Sequence, residues 1–381
     1  MRSLHNVLLM VLVTLASGGL QAAKPGGGTP PPSGSACMGQ GGVFPAMAYS
    51  RGVYSNSGAY QKTQVFVTNG PGNCEVMVYD TGDYTGRPVK VSFHYDPGSS
   101  MGTLVWKQDV DNGKFPVPGR LVKLARFQVS GGAVVGLPIA AATIYRFPAT
   151  LKSGIDDVEL SQDGTRVAFS EYHKLTDTGP WTLQILVCNV ADAVLGQCQT
   201  TAETAYTVTA SSTGGLHQLT IGRNAESRER IYFLNRPGAT LDVADLVAVD
   251  NLGANLWTAP VVLVNREQYM ASMHDTDTFL ETPSALSLPG EPDRVLLSSR
   301  DGFLGTPRVD IYDAANGTVA HIIGQGFRPT WTSNPSIDST APNVLVTEKM
   351  NYATSPVREI DLDGQPETSL GVQGYGVDSA Y

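Results

Sequence analysis

The sequence predicts an all-β fold built from small antiparallel sheets repeated along the chain. Three observations carry this. Short runs rich in Val, Ile, Leu, Tyr, Phe and Thr, bounded by Gly, Pro, Asp or Asn, recur almost throughout, for example at residues 64–68, 76–79, 166–170, 183–188, 230–234, 294–298, 309–312 and 344–347. No stretch of ten or more residues combines helical periodicity with caps. A strand–turn–strand pattern also returns several times, the mark of a repeat architecture. Composition agrees: the 381 residues include 41 Gly and 24 Pro, and 16% are charged against about 25% in ordinary domains. With 41% apolar residues the chain can bury a core, which excludes wholesale disorder. Its net charge of -9, from 26 Lys+Arg against 35 Asp+Glu, disfavours duplex nucleic acid and anionic membranes as partners, since both demand excess cations.

The elements follow in chain order. Residues 1–23 read as a secretory signal peptide: Arg2, an apolar run over 7–15, then small residues up to Ala22 and Ala23. The run is too short for a stable membrane span. No Cys lies near the expected cleavage site, so there is no lipobox, and the bacterial-type signal predicts a periplasmic or secreted protein. Residues 24–36, KPGGGTPPPSGSA, offer nothing to anchor in a core and read as an extended linker. The folded domain is expected over 37–381. Its cysteines, Cys37, Cys74, Cys188 and Cys198, are even in number, which in an oxidising compartment predicts two disulfides. Three pairings are open, and proximity favours Cys37 with Cys74 and Cys188 with Cys198. No CxxC spacing suggests a cysteine metal site.

The repeat is clearest in residues 156–171 (DDVELSQDGTRVAFSE), 282–302 (TPSALSLPGEPDRVLLSSRDG) and 328–349 (RPTWTSNPSIDSTAPNVLVTEK), and looser in 216–236. Each copy is followed by a third strand running into an acidic turn, as at Asp250, Asp313 and Asp361. A fainter copy begins at Phe44. The Ser161-Gln162-Asp163-Gly164 turn with Val167-Ala168-Phe169-Ser170, Ser299-Arg300-Asp301-Gly302, and Ile360-Asp361-Leu362-Asp363-Gly364 resemble the TolB-like β-propeller repeat. The resemblance covers about residues 44–95 and 155–370 and is poor over 96–154. Aligning Pro45, Asp157, His217, Pro283 and Pro329 ahead of each first strand leaves two units in the first gap and one after Pro329. That gives six four-stranded blades, or seven if residues 99–147 hold an extra sheet. Radial repetition hides the sheet edges that a single four-stranded sheet would expose.

In such a ring the first-to-second and third-to-fourth strand turns share one face, and the remaining connections share the other. The second face is expected to collect Asp156, Asp157, Glu171, His173, Lys174, His217, Arg236, Arg300, Asp301, Arg328 and Lys349, with His274, Asp275 and Asp277 on an insertion. The Cys188 and Cys198 pair falls on the opposite face. His173, His217 and His274, with Asp157, Glu171, Asp275 and Asp277, supply imidazoles and carboxylates suited to a divalent metal or to acid/base work. The competing reading is ordinary polar loop chemistry. Arg236, Arg300 and Arg328 sit where repeat residues pair with acids between blades. The acidic turns read as hairpins rather than calcium loops, and 109–113 lacks the distal acid of such a loop. Gly98-Ser99-Ser100-Met101-Gly102 matches GxSxG literally, yet a strand rather than a helix follows it, which removes the nucleophile-elbow reading.

The resemblance implies a stand-alone exported propeller, and the fold alone does not choose an activity. The expected function is a binding or scaffold protein, a monomer, that engages an envelope or extracellular protein or glycan through this second face. No catalytic residue is assigned. The alternative is a metal-dependent carbohydrate-active enzyme, a lyase or hydrolase, at the channel mouth. The resemblance to TolB-like oligogalacturonate lyases implies a His-held divalent metal there, which would fall to His173, His217 and His274.

Overall fold

A computed structural model describes residues 37–379 apart from 38, 41, 59, 81–89, 112–115, 147–151, 177, 211–215, 236–244, 254, 266–277, 281–283, 286–292, 302–306, 322–331, 338–342, 349–355, 362–367 and 374; within some strands the backbone alone is described. The signal peptide and linker readings, residues 1–36, lie outside the described residues.

Among the described residues the strands form six antiparallel sheets. The first holds β1 (Met47–Tyr54), β2 (Tyr60–Thr68) and β3 (Glu75–Asp80). The second is β4 (Val91–Asp96), β5 (Met101–Asp111), β6 (Pro116–Ser130) and β7 (Ala133–Arg146). The third is β8 (Lys152–Leu160), β9 (Arg166–Lys174), β10 (Trp181–Asn189) and β11 (Glu203–Ala210), with two short helices, α1 (Val190–Val194) and α2 (Cys198–Thr201), between β10 and β11. The fourth comprises β12 (Leu216–Arg223), β13 (Glu229–Asn235), β14 (Asp245–Gly253), β15 (Leu256–Trp257) and β16 (Val261–Val264). The fifth comprises β17 (Thr278–Leu280), β18 (Ser284–Ala285), β19 (Arg294–Asp301), β20 (Pro307–Asp313) and β21 (Thr318–His321). The sixth is β22 (Thr332–Ile337), β23 (Asn343–Glu348), β24 (Pro356–Asp361) and β25 (Thr368–Gln373). A last strand, β26 (Tyr375–Ser379), returns to the first sheet beside β1. The inner strands β4, β8, β12, β18, β22 and β26 touch in that order, and β26 meets β4, so the sheets stand around an axis. No helix among the described residues is long and apolar enough to cross a membrane.

The first four sheets are apolar on both faces, which is why their strands read as continuous apolar runs rather than as alternation. On β9, Val167 and Phe169 join the core shared with the second sheet while Ala168 joins the one shared with the fourth. On β13, Ile231 and Phe233 face back and Tyr232 and Leu234 face on towards Val295 and Tyr312 of the fifth sheet. The poorly matching stretch of sequence is one sheet, β4 to β7, with long outer strands. Gly102 lies where a Cβ would run into the Phe127 ring, so the ring packs flat on β5 only because no side chain is there.

Three expectations change. Pro45 does not precede an innermost strand. β26 takes that place, so β1 is second in its sheet, and the residues after Pro329 supply one sheet plus the inner strand of another. Asp156 and Asp157 do not lie in a connecting loop: both fall inside the inner strand β8, with Asp157 opposite Ser170 and buried. A chain reading cannot see this, because β8 begins well before the apolar run that announces it. The run 109–111 likewise belongs to β5 rather than to a loop.

Both expected disulfides are present, Cys37–Cys74 and Cys188–Cys198. Each ties a third-to-fourth strand connection, so both lie on one face, here the turn face. The α1–α2 segment carrying Cys198 folds back against β7 of the preceding sheet and buries Val190, Ala193 and Cys198 beside Val122, Leu124 and Ile144. The Gly98–Gly102 motif closes the β4–β5 hairpin, with Ser99 Oγ donating to Asp96 at 2.6 Å.

Candidate functional site

The turn face is latched from sheet to sheet. The Ser161-Gln162-Asp163-Gly164 turn joins β8 to β9: Gly164 N donates to the Ser161 carbonyl at 2.8 Å and Ser161 Oγ to Asp163 at 2.7 Å. Gly164, at φ 65, has room for no side chain because the His94 ring of β4 lies on it. Arg223, at the end of β12, reaches back to Asp163 at 3.0 Å, and its carbonyl accepts from Asp293 N at 3.0 Å. Asp293 in turn accepts from Ala225 N at 2.8 Å, Arg230 at 2.6 Å and Tyr232 at 3.0 Å. Bonding to Asp250, against the opposing effect of burial, holds the Arg230 pKa above its ordinary value.

The second-to-third strand connections and the links between sheets lie at the other end, the loop face. Towards that end, where the second and third sheets meet, β9 places Glu171 against Tyr145 of β7. Tyr145 OH donates to Glu171 Oε2 at 3.0 Å and His173 Nδ1 lies 3.6 Å from Oε1. Burial raises the Glu171 pKa to about 7, although the Tyr145 hydrogen bond pulls it down. Burial also lowers that of His173, so near pH 7 this contact is not a full ion pair. A buried carboxyl poised near neutrality beside a phenol can exchange a proton.

Nearer the axis, Lys90 reaches Glu159 at 2.7 Å and Asp157 at 3.5 Å, and Ser92 donates to Glu159 at 3.1 Å. The Lys90 ammonium occupies the ground between the two carboxylates and offsets one of their two charges. Among the described residues no group of three or more His, Cys, Asp and Glu is placed to hold a metal ion.

Beyond Glu171 the β9–β10 connection projects from the loop face. Lys174 lies over the Trp181 ring, 4.7 Å from its centroid, and Tyr172 meets the same ring edge-on at 5.6 Å. Leu175 stands at the tip, 82% exposed. Leu195, on the turn face, is similarly bare at 69%, and single exposed leucines of this kind are ordinary on a protein surface.

Of the residues singled out from sequence, Glu171, His173 and Lys174 therefore cluster at one seam, and Asp157 joins the inner salt cluster. Asp156, His217, Arg300 and Asp301 lie in strands β8, β12 and β19, where the backbone alone is described. His274, Asp275, Asp277, Arg236, Arg328 and Lys349 lie outside the described residues. Among the described residues, clamping by arginine across a seam is made by Arg166, which meets Glu203 at 2.9 Å and Glu229 at 3.8 Å, and by Arg230. Sequence did carry a signal for these. Arg166, Arg230 and Arg294 each stand at or next to the start of a second strand and pair in register with Asn189, Asp250 and Asp313, as Asn343 does with Asp361. Lys90, Tyr145 and Trp181 had no such repeat to reveal them.

No protein-family model and no curated protein matches the sequence. Solved structures do. TolB from Acinetobacter baumannii superposes with a TM-score of 0.54 at 13% identity, covering 89% of this chain and 67% of that one. Lower likenesses include an oligogalacturonate lyase from Vibrio parahaemolyticus (TM-score 0.46, 8% identity, 85% and 78% covered) and the β-propeller domain of the Trilobed protease from Pyrococcus furiosus (0.41, 9%, 84% and 83%). The sheets around an axis, their inner-strand ring and this likeness define a TolB-like β-propeller fold.

Proposed function

We propose that this chain is an exported, six-bladed TolB-like propeller that acts as a binding or scaffold protein and takes a protein or glycan partner on its loop face. The observation that carries the reading is an asymmetry of bracing between the faces rather than of exposed apolar side chains, since Leu195 and Leu256 stand exposed on the turn face. Both disulfides and the Asp163–Arg223–Asp293 latch brace the turn face, while the loop face offers His173, Lys174 and Leu175 on a braced turn. A scaffold that stiffens one end of a ring and displays side chains at the other suits recognition by loops on a rigid frame. His217, His274, Asp275, Asp277, Arg300 and Arg328 belong to the same surface by chain position. The disulfides support an oxidising compartment and hence export.

The test is site-specific photo-crosslinking in the native cell envelope or secretome, with the photoreactive residue at position 175 and, as a control, at 227 on the turn face. A discrete adduct from position 175 alone is expected. Adducts from 227 alone, or from neither position, would remove the reading.

A further inference from the structure

Between Asp111 and Asp156 the sequence carries Lys114, Arg120, Lys123, Arg126, Arg146 and Lys152 and not one Asp or Glu, in a chain whose net charge is -9. This stretch builds β6 and β7, the outer half of the second sheet. Lys123 stands opposite Thr143, and Arg146 opposite Leu121, so the two cations are diagonal neighbours on adjacent strands, within reach of one another. Lys123 is partly buried and Arg146 exposed. Burial, and then the charge of Arg146, hold the Lys123 ammonium below its ordinary pKa. No described carboxylate forms an ion pair with Lys123, Arg126 or Arg146. Arg126 keeps a buried Nε without an acceptor.

Elsewhere the chain answers its partly buried cations with acids: Lys62 with Asp80, Lys90 with Glu159, Arg166 with Glu203, Arg230 with Asp250. Two like charges side by side, one of them partly desolvated, are unfavourable unless a negative group shares the space. An arginine fork next to an ammonium is the donor set that carboxylate and phosphate oxygens accept from. In a chain of net charge -9, an acid-free stretch with several cations is a local exception that favours an anion over the rest of the surface.

We propose that Lys123 and Arg146 form a two-point clamp for an oxyanion, a carboxylate or phosphate group, at the end of the second sheet that leads into the loop face. The clamp does not rest on the partner-binding reading above: it takes up a small anion whether or not position 175 meets a partner.

The test is calorimetric titration of the folded chain at pH 7 and constant ionic strength with inorganic phosphate and with hexaglutamate, chloride serving as the blank. Saturable binding of at least one probe is expected, weakened about tenfold or more by Lys123→Gln and by Arg146→Gln, since charge-assisted bonds are the strong ones. Arg223→Gln, on the turn face, leaves binding unchanged. Preference for phosphate identifies a free ion as the source, and preference for hexaglutamate an acidic peptide segment. Independently of any variant, the bound probe slows acylation of Lys123 in the wild-type chain, followed by mass spectrometry. Binding no stronger than the chloride blank, binding indifferent to both substitutions, or unprotected Lys123 overturns the clamp.

Discussion

Arg230 donates from Nη1 to Oδ1 of Asp293 at 2.6 Å, across the seam between the fourth and fifth sheets. The same guanidinium grips Asp250 on its own sheet through Nε and Nη2 at 2.5 and 2.8 Å. Asp293 → Ala removes the acceptor of three side-chain or backbone donors and leaves the partly buried Arg230 short of a partner. Loss of such a pair costs about 3–5 kcal/mol when fully buried, and for this partly exposed one about 2–4 kcal/mol is expected in denaturant melts, with Asp293→Asn intermediate. A change below about 0.5 kcal/mol, the size of an ordinary surface substitution, would show that the latch is ornamental.

Glu171 predicts an unusual pH slope. Its folded pKa of about 7 lies above its ordinary 4.5, so between those values the folded chain holds the proton more tightly than the unfolded one. Stability therefore falls as pH rises through that window, by at most about 1.4 kcal/mol per unit. Glu171→Gln should flatten this slope and be the more stable form at pH 8. Tyr145→Phe, which removes the bond that favours the carboxylate, should shift the midpoint upward. Parallel pH–stability curves for wild type and Glu171→Gln would contradict the assignment.

Gly102→Ala places a methyl group against the Phe127 ring inside the core shared by the first and second sheets. Overpacking of this kind costs about 1–3 kcal/mol, and the double change Gly102→Ala with Phe127→Leu should recover part of it. Equal thermal midpoints for Gly102→Ala and wild type would show that the ring moves freely.

The disulfides close loops with sequence separations of 37 and 10. The chain-entropy account then gives about 4 kcal/mol for Cys37–Cys74 and about 3 kcal/mol for Cys188–Cys198. Replacing each pair by alanine and measuring unfolding tests both size and order. Four thiols alkylated in the native, unreduced protein would refute both bonds.

The strands, the hairpin nature of the acidic turns and the proximal cysteine pairs were legible because each rests on local chemistry: β-branched runs, Ser-x-Asp-Gly turns, short loops. What local chemistry does not encode was missed. Nothing in the run from Tyr375 to Ser379 says that it pairs with residues more than 300 positions earlier, so the place of Pro45 in the repeat was misjudged. The burial of Asp157 depends on Lys90 arriving from another sheet. The Arg166, Arg230 and Arg294 series and the acid-free stretch from 112 to 155 could both have been counted from the letters, since one is a spacing and the other a composition.

The pairing of Met47 with Ser379 has a consequence for how the protein is made. Until the final strand has left the ribosome, the first sheet is three-stranded with an open inner edge, and the second sheet lacks the neighbour that β26 provides. Ring closure therefore waits for β26, and a pairing of such sequence separation forms slowly. A chain that lacked β26 would leave β1 with an unpaired inner edge, open to whatever it met.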